Sequence, residues 1–391
     1  MRIAIVGGGF TGLAAGLELV RAGHKVVIFE KEKNLGGLAG DFKPAGWMWG
    51  LERYYHHIFA NDKEVIKLAK SVGWPAFFEK PVTNSLIGGK EKRLDSPFSL
   101  LKFNKLSLIS RLHMGLGLAM LKFIRNGVGL EKYQAVGMLP KLVGPEGYKK
   151  VWEPLLLAKF GKFLPTVNMA WFWARVYKRT ASLGYFAGGF GKLAEKIAEE
   201  IKRNGGEIRL GTKYKVGDEK FDKILNTGGR HLGIDYLWGQ TLVLELDKPL
   251  MKGYWLNVLQ KNWPFLVVVE QTNFINKKYY GNKHLMYLGN YLEDKDKRLK
   301  MSKDELLELF LPYIKKINPD FNKKWITRKW KFQDPYAQPV FPVNYSRSLP
   351  NIKTKVTNLY VANTSMVYPW DRGVNYAVEL GQKAARIILD M

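Results

Sequence analysis

The chain has 391 residues, with 62 Lys plus Arg against 35 Asp plus Glu, a formal net charge of +27 and no cysteine. At about 150 residues per domain this length suggests two or three domains or one large interleaved fold. A composition of 46% hydrophobic and 25% charged residues excludes a disordered chain, and the lack of cysteine excludes disulfides, thiolate metal sites and a thiol nucleophile.

The six histidines form no H-x-x-x-H pair, so no helix-borne metal site is expected. The basic residues spread through the chain beside acids, as in Glu30-Lys31-Glu32-Lys33 and Asp294-Lys295-Asp296-Lys297. That spread fits a lysine-rich solvated surface or attraction to an anionic membrane. No zinc-finger spacing or RNA-binding aromatic motif accompanies it, so no nucleic-acid partner is expected. At the start, Ile3 to Val6 run straight into glycines, which reads as a buried strand and not a secretion signal. No uncharged run approaches the ~18 residues a bilayer span needs. A cytoplasmic protein is expected.

Ile3 to Val6 open the strongest pattern in the chain. Gly7-Gly8-Gly9-Phe10-Thr11-Gly12 satisfies G-x-G-x-x-G, Leu13 to Ala22 reads as a helix, and Lys25 to Phe29 is a second strand closed by Glu30. This strand–turn–helix–strand context gives the glycines their meaning. Gly7 permits the tight turn, Gly9 lets backbone approach a pyrophosphate, and Gly12 lets helix and strand touch. The start of the helix offers N–H groups and a positive dipole end to phosphate. Glu30 lies 18 residues beyond Gly12, where its carboxylate can accept from both ribose hydroxyls and would repel a 2′-phosphate. Lys31 follows, and then Leu35-Gly36-Gly37-Leu38.

An acid-ended strand followed by Leu-Gly-Gly resembles the FAD-binding opening of the flavin amine oxidase, protoporphyrinogen oxidase and phytoene desaturase superfamily, with UDP-galactopyranose mutase a further relative. The resemblance implies that Gly36 and Gly37 pass close to the ribityl and phosphate part of FAD. Asn358 to Thr364, then Arg372-Gly373-Val374-Asn375-Tyr376 opening a helix to Ile388, are similar to the superfamily's closing motif. There a helix start points at the flavin pyrimidine edge and stabilises its reduced anion. Asn363, beside Thr364, stands where many relatives carry an acid. Tyr185 to Leu193, with Gly188-Gly189, and the stretch to Gly229 resemble the family's middle segment. Strands are expected at Glu207–Leu210, Lys213–Val216 and Lys223–Thr227, with the Val216 backbone meeting adenine.

The implied fold class is α/β. A discontinuous Rossmann-like FAD-binding domain would comprise 1–60, 185–230 and 341–391, and an α+β substrate domain 61–184 and 231–340. FAD would be non-covalent, since no cysteine exists for a thioether. The implied binding set is Gly7, Gly9, Phe10, Thr11, Gly12, Glu30, Lys31, Gly36, Gly37, Leu38, Val216, Asn363, Thr364, Gly373, Val374 and Asn375. The run Trp47 to Phe59 resembles a stretch beside the isoalloxazine ring, so Tyr54, His56 and His57 are the flavin or substrate contacts expected. Neighbouring side chains on a strand point oppositely, so at most one histidine should face the ring. Core packing is the alternative for this run.

Two insertions should hold a small-molecule substrate, lipophilic or a nucleotide sugar. Strands are expected at Leu242–Leu246, Phe265–Val269 and His284–Leu288, and a helix at Ser302–Lys315 with Ser302 and Glu305 as a capping box. Residues 98–130 read either as an interfacial helix pair meeting an anionic membrane or as a buried hairpin. The expected reaction is hydride transfer from a substrate C–H or C–N bond to flavin N5. The alternatives are a UDP-galactopyranose mutase-like isomerase, for which Arg175, Arg179, Arg347 and Arg372 are available, and a flavin-bound membrane scaffold without turnover. The expectation of metal is nil.

Overall fold

The computed structural model of the chain describes residues 1–215, 217, 219–229, 233–370 and 372–390. Among them, five strands form a parallel sheet in the order Glu207–Arg209, Lys25–Phe29, Arg2–Val6, Lys223–Asn226, Leu359–Val361. Strands of one sheet thus come from the first thirty residues, the middle and the end of the chain. Ile3 and Ile5 are fully buried in the core formed with the helices, while Ala4, Val27 and Phe29 on the opposite face pack against Tyr214 and Phe221. The first helix, Phe10–Arg21, buries Leu13, Leu17 and Leu19. Its small residues permit a close crossing with the last helix, Val374–Leu389: a Cβ on Gly381 would stand 2.2 Å from the Thr11 carbonyl oxygen.

The second sheet has seven strands, in the order Ile326–Pro339, Tyr236–Leu246, His284–Leu292, Val267–Glu270, Trp255–Val258, Thr83–Ile87, Lys90–Arg93. Its side chains alternate between two cores. Leu242, Leu244 and Leu288 meet Leu306 and Phe310 of the helix Lys303–Ile317. Val243, Val269 and Tyr287 face the core shared with the parallel sheet. The helix starts with the expected capping box, Ser302 Oγ accepting from Glu305 N at 3.2 Å and Glu305 Oε2 from Ser302 N at 2.7 Å. Residues 97–178 are mostly helical around a separate core that includes Leu121, Leu139, Phe160 and Trp171.

Three expectations need correction. The first helix begins at Phe10, not Leu13, because Gly9 already occupies its cap position. No strand forms over Lys213–Lys215; the N–H groups of Gly211 and Thr212 instead donate to Glu32 O and Glu30 O, and the Tyr214 ring packs on Phe29 at 5.1 Å. The fourth residue of that expected strand, Val216, lies outside the described residues. Finally, the helix Leu108–Phe123 is only half buried: Met114, Gly117 and Leu121 face inward while Leu116 is 67% exposed. A fully buried hairpin is therefore excluded. No helix among the described residues is long and apolar enough to cross a membrane.

Candidate functional site

Gly7, Gly9 and Gly12 share one turn but not one cause. Gly7 has φ +112°, a left-handed conformation that disfavours any side chain, and a Cβ on Gly12 would stand 2.0 Å from the Gly7 carbonyl oxygen. The fold itself requires both. Gly9 has an ordinary φ of −73°, and a Cβ there would meet nothing nearer than Gly37 Cα at 3.7 Å. Nothing in the protein alone demands glycine at that position. The helix that follows has no side-chain cap and no acid in its first turn, so its N–H groups and positive end remain available to an anion. Phe10 and Thr11 supply these backbone groups. The Phe10 side chain is in the core, 6.3 Å from the Phe190 ring.

Glu30 is aimed at the same turn. It is 7% exposed; Oε2 accepts from Gly8 N at 2.7 Å and Oε1 from Glu32 N at 2.9 Å. Each oxygen keeps acceptor capacity for a ribose hydroxyl. Lys31 points outward and pairs with Glu32 at 3.9 Å. Gly36 and Gly37 both have positive φ, and Gly36 N donates to Gly8 O at 2.9 Å, so the two glycine runs lie side by side. Leu38 sits in the single turn Gly37–Ala39.

Arg53, which the sequence did not single out, ties this segment down. Its Nη2 donates to Gly37 O at 2.8 Å and its backbone N to Gly40 O at 3.1 Å, while its buried Nε has no partner. A bare helix start, clearance at Gly9, a buried carboxylate and an orphaned guanidinium nitrogen together fit a ribose joined to a pyrophosphate.

The second part of the site lies on the seven-stranded sheet, beneath Tyr54 to His56 and Arg372. Tyr54 and Tyr55 rest over sheet glycines: a Cβ on Gly239 would come 3.6 Å from the Tyr54 ring, and one on Gly289 2.6 Å from the Tyr55 ring. With His56, Gln240, Tyr291 and Arg372 they line a small cavity of about 20 Å³. A larger cavity of about 470 Å³, with Leu157, Leu237, Trp263 and Phe265 in its wall, shares Asn290 and Tyr291 with it. The Arg372 guanidinium donates from Nε to Gln338 Oε1 at 3.1 Å and from Nη2 to the Tyr291 hydroxyl. Burial lowers its pKa to about 10.

The aromatic run itself divides. Trp47 and Trp49 serve the core, Trp47 Nε1 donating to Glu245 Oε2 at 2.8 Å and Trp49 stacking on Tyr279 at 3.7 Å. His56 Nδ1 lies 2.6 Å from Tyr54 O, and His57 Nδ1 lies 3.3 Å from the Tyr254 hydroxyl. Of the two histidines, His56 lines the small cavity and His57 packs against Tyr254 and Trp255. Burial drives their pKa values down to about 4 and about 3. A group neutral until that acidity is a poor proton acceptor near pH 7, so both suit contact better than base catalysis.

The last helix starts at Gly373 with no side-chain cap and no acid in its first turn, matching the first helix. The Gly373 backbone is extended, and a Cβ there would meet only Tyr376, at 3.7 Å. The fold alone therefore tolerates a side chain at Gly373, as at Gly9. Val374 is buried, and Asn375 Oδ1 accepts from Glu64 N and Val65 N at 2.9 and 3.2 Å, capping the helix Lys63–Ser71. Asn363 Oδ1 similarly caps the turn Thr364–Val367, accepting from Ser365 N at 3.1 Å.

A third helix start, Phe190–Arg203, is closed by the protein itself. Glu52, fully buried, accepts from Phe190 N at 2.8 Å and from the Tyr185 hydroxyl at 2.6 Å. Burial raises the Glu52 pKa to about 8.

A family model described as flavin containing amine oxidoreductase matches residues 10–216 and 241–389. Zeta-carotene desaturase of Synechocystis sp. is 26% identical over 324 residues, which cover 72% of this chain and 62% of that enzyme. The chain spans less than two thirds of the length of the curated relatives it matches. Among solved structures, reduced UDP-galactopyranose mutase aligns with a TM-score of 0.77 and 13% identity over 100% of this chain and 95% of that one. A provisionally assigned protoporphyrinogen oxidase from Exiguobacterium sp. 255-15 aligns with a TM-score of 0.76 and 16% identity, covering 100% and 99%. At these identities the structural likeness establishes the fold.

Proposed function

The chain belongs to the flavin-containing amine oxidoreductase family, and from that premise we propose that it binds FAD non-covalently and oxidises a small molecule at a C–H or C–N bond. The flavin would supply a hydride acceptor at N5, and the protein's share is binding, orientation and exclusion of water. Gly9, Glu30, Gly36 and Gly37, with the start of the first helix and Arg53, would hold the ribose and pyrophosphate. The start of the last helix, at Gly373 and Val374, would face the ring's pyrimidine edge, where its dipole favours negative charge. Tyr54, Tyr55, His56 and Tyr291 would shape the substrate chamber, and the larger cavity at Asn290 and Tyr291 would be its approach.

The observation that carries this reading is Gly9, a glycine the fold does not need, beside a buried acid and an uncapped helix start. The division into a discontinuous FAD domain and an inserted substrate domain, with the boundaries 1–60, 185–230 and 341–391 for the former, belongs to the same proposal. So does a cytoplasmic protein placed peripherally at a membrane face. Purified protein should be yellow and release intact FAD on heating; release of FMN or NAD alone would sink the cofactor assignment.

A second reading is an isomerase acting on a nucleotide sugar with reduced flavin. It is favoured by Arg372 in the chamber wall, and by Arg175 and Arg179, whose charges are felt at His57. Arg347 lies apart, in the turn Tyr345–Ser348. Anaerobic flavin reduction by a substrate panel supports the oxidase reading. Conversion between UDP-galactopyranose and UDP-galactofuranose under reducing conditions supports the isomerase. Neither activity would leave a scaffold without turnover.

A further inference from the structure

The helix Leu108–Phe123 turns an apolar stripe to solvent. Ile109, Leu112, Leu116, Met120 and Phe123 fall within about 80° of its circumference at 3.6 residues per turn. They are strongly exposed, Ile109 at 80% and Phe123 at 84%. The preceding helix, Pro97–Leu101, adds exposed Phe98 and Leu101. The Arg111 guanidinium locks the two helices together by donating to Leu101 O at 2.5 Å. A surface helix ordinarily shows solvent its polar face; this one is apolar both toward the core, with Met114 and Leu121, and toward solvent. The helix is 16 residues long, too short to cross a bilayer but suited to lying in its interface.

The charge around the stripe identifies what covers it. Residues 96–145 contain seven cations, Lys102, Lys105, Arg111, Lys122, Arg125, Lys132 and Lys141, and one acid, Glu131. Glu131 is buried and bonded to Ser346 and the Tyr368 hydroxyl, so it does not offset them at the surface. The next acid, Glu146, is paired with Lys150 and accepts from Ser107 Oγ. Two copies of this face packed across a two-fold axis would set cations against cations.

We propose that the face formed by Pro97–Leu101 and Leu108–Phe123 docks on an anionic lipid bilayer. The stripe enters the acyl boundary and the flanking Lys and Arg meet headgroup phosphates. This deepens the membrane part of the reading above and is independent of its flavin part.

The test is co-sedimentation of the full chain with phosphatidylcholine vesicles containing about one third phosphatidylglycerol. Wild type should sediment with them, less with phosphatidylcholine alone, and less at about 0.5 M salt. The double variant Ile109→Glu/Leu116→Glu should lose about tenfold in vesicle affinity while keeping its circular dichroism and melting transition. Phe123→Glu, at the most exposed position, repeats the measurement with the least demand on folding. Wild type that never sediments overturns the proposal, as does unchanged binding by both variants. A wild-type dimer that the variants dissolve, without vesicle binding, would assign the face to a second copy. Misfolding of both variants would make the face part of the core. Each readout follows the protein and not its colour, so failure here leaves the cofactor assignment standing.

Discussion

The turn around Gly9 and the chamber around Tyr291 are assembled on different scales. Gly7, Gly9, Gly12, Glu30, Gly36 and Gly37 fall within 31 residues, joined by one strand–helix–strand unit. The chamber takes Tyr54 to His56, Gln240, Asn290 and Tyr291, and Arg372 from remote parts of the chain. The first is held by backbone geometry, which local sequence encodes. The second is held by side chains that meet only when the seven-stranded sheet and the segments carrying Tyr54 to His56 and Arg372 are in place. Damage should therefore stay local and all-or-none at the turn, and spread through shared partners in the chamber.

The sharpest way to break that contrast is within the turn itself. Gly12→Val should cost more than about 4 kcal/mol, because its Cβ would collide with a backbone oxygen that cannot move without opening the turn. Little folded protein is expected. Gly9→Ala should keep the wild-type melting temperature without ligand, yet weaken flavin binding at least tenfold. Equal losses of stability in both variants would remove the distinction between a structural glycine and a ligand glycine.

Glu30→Ala comes next. It should cost about 1.5–3 kcal/mol for each charge-assisted bond to ribose, hence tenfold or more in FAD affinity. Loss of the carboxylate also leaves the Gly8 and Glu32 N–H donors without their acceptor, so some stability is lost as well. Titration of stripped protein with FAD measures the first effect, and the melt of the same protein the second. Retention of flavin through dilution would count against the ribose role.

In the chamber, Arg372→Ala should cost about 1–3 kcal/mol in stability, since it leaves Gln338 and the Tyr291 hydroxyl without their partner in a buried setting. It should also change the visible spectrum of bound flavin. Tyr291→Phe should reproduce part of both effects, and the double variant should cost less than their sum. Strict additivity would mean that the two side chains do not act as a unit.

These scales also account for what the sequence discloses. The glycine spacing and the capping box at Ser302 are consequences of neighbours a few residues apart, and Glu30 is marked by closing the second strand of the same strand–helix–strand unit. Arg53, Gln338 and Tyr291 carry no local mark; their partners, Gly37 and Arg372, stand 16, 34 and 81 residues away. Asn375 shows the same limit from the other side. Its position at a helix start suggests a ligand, but its carbonyl oxygen is engaged with Glu64 N and Val65 N, some 310 residues away. The apolar run within 98–130 left an interfacial helix pair and a buried hairpin both open, because composition does not say which side of Leu108–Phe123 is outside. That depends on Leu139, Val143 and Trp171, which pack the inner side.

The smallest effect expected is also the one that isolates the closed helix start from the two open ones. Glu52 caps Phe190–Arg203 from a fully buried position, and burial raises its pKa from 4.5 to about 8. Between those values the folded protein holds a proton that the unfolded chain has released, so stability falls as pH rises. His56 and His57 act in the opposite sense, because burial depresses them to about 4 and about 3 from 6.5. Their influence ends above about pH 6.5, where folded and unfolded forms are both neutral. Asp41 and Asp62, raised by burial to about 6, have likewise finished titrating by then. The window from pH 6.5 to 8 therefore belongs to Glu52 within this group. One proton gives a slope of at most about 1.4 kcal/mol per pH unit, a decline of a few degrees in melting temperature for a chain of this size. Glu52→Gln, the neutral isostere, should flatten the slope with little change in stability near pH 6.5, since the protonated acid, like the amide, offers one carbonyl oxygen to Phe190 N and one donor toward the Tyr185 oxygen. Melting curves of both proteins across that window decide the matter. Parallel declines would mean that Glu52 is ionised in the folded protein and that its two hydrogen bonds outweigh its burial.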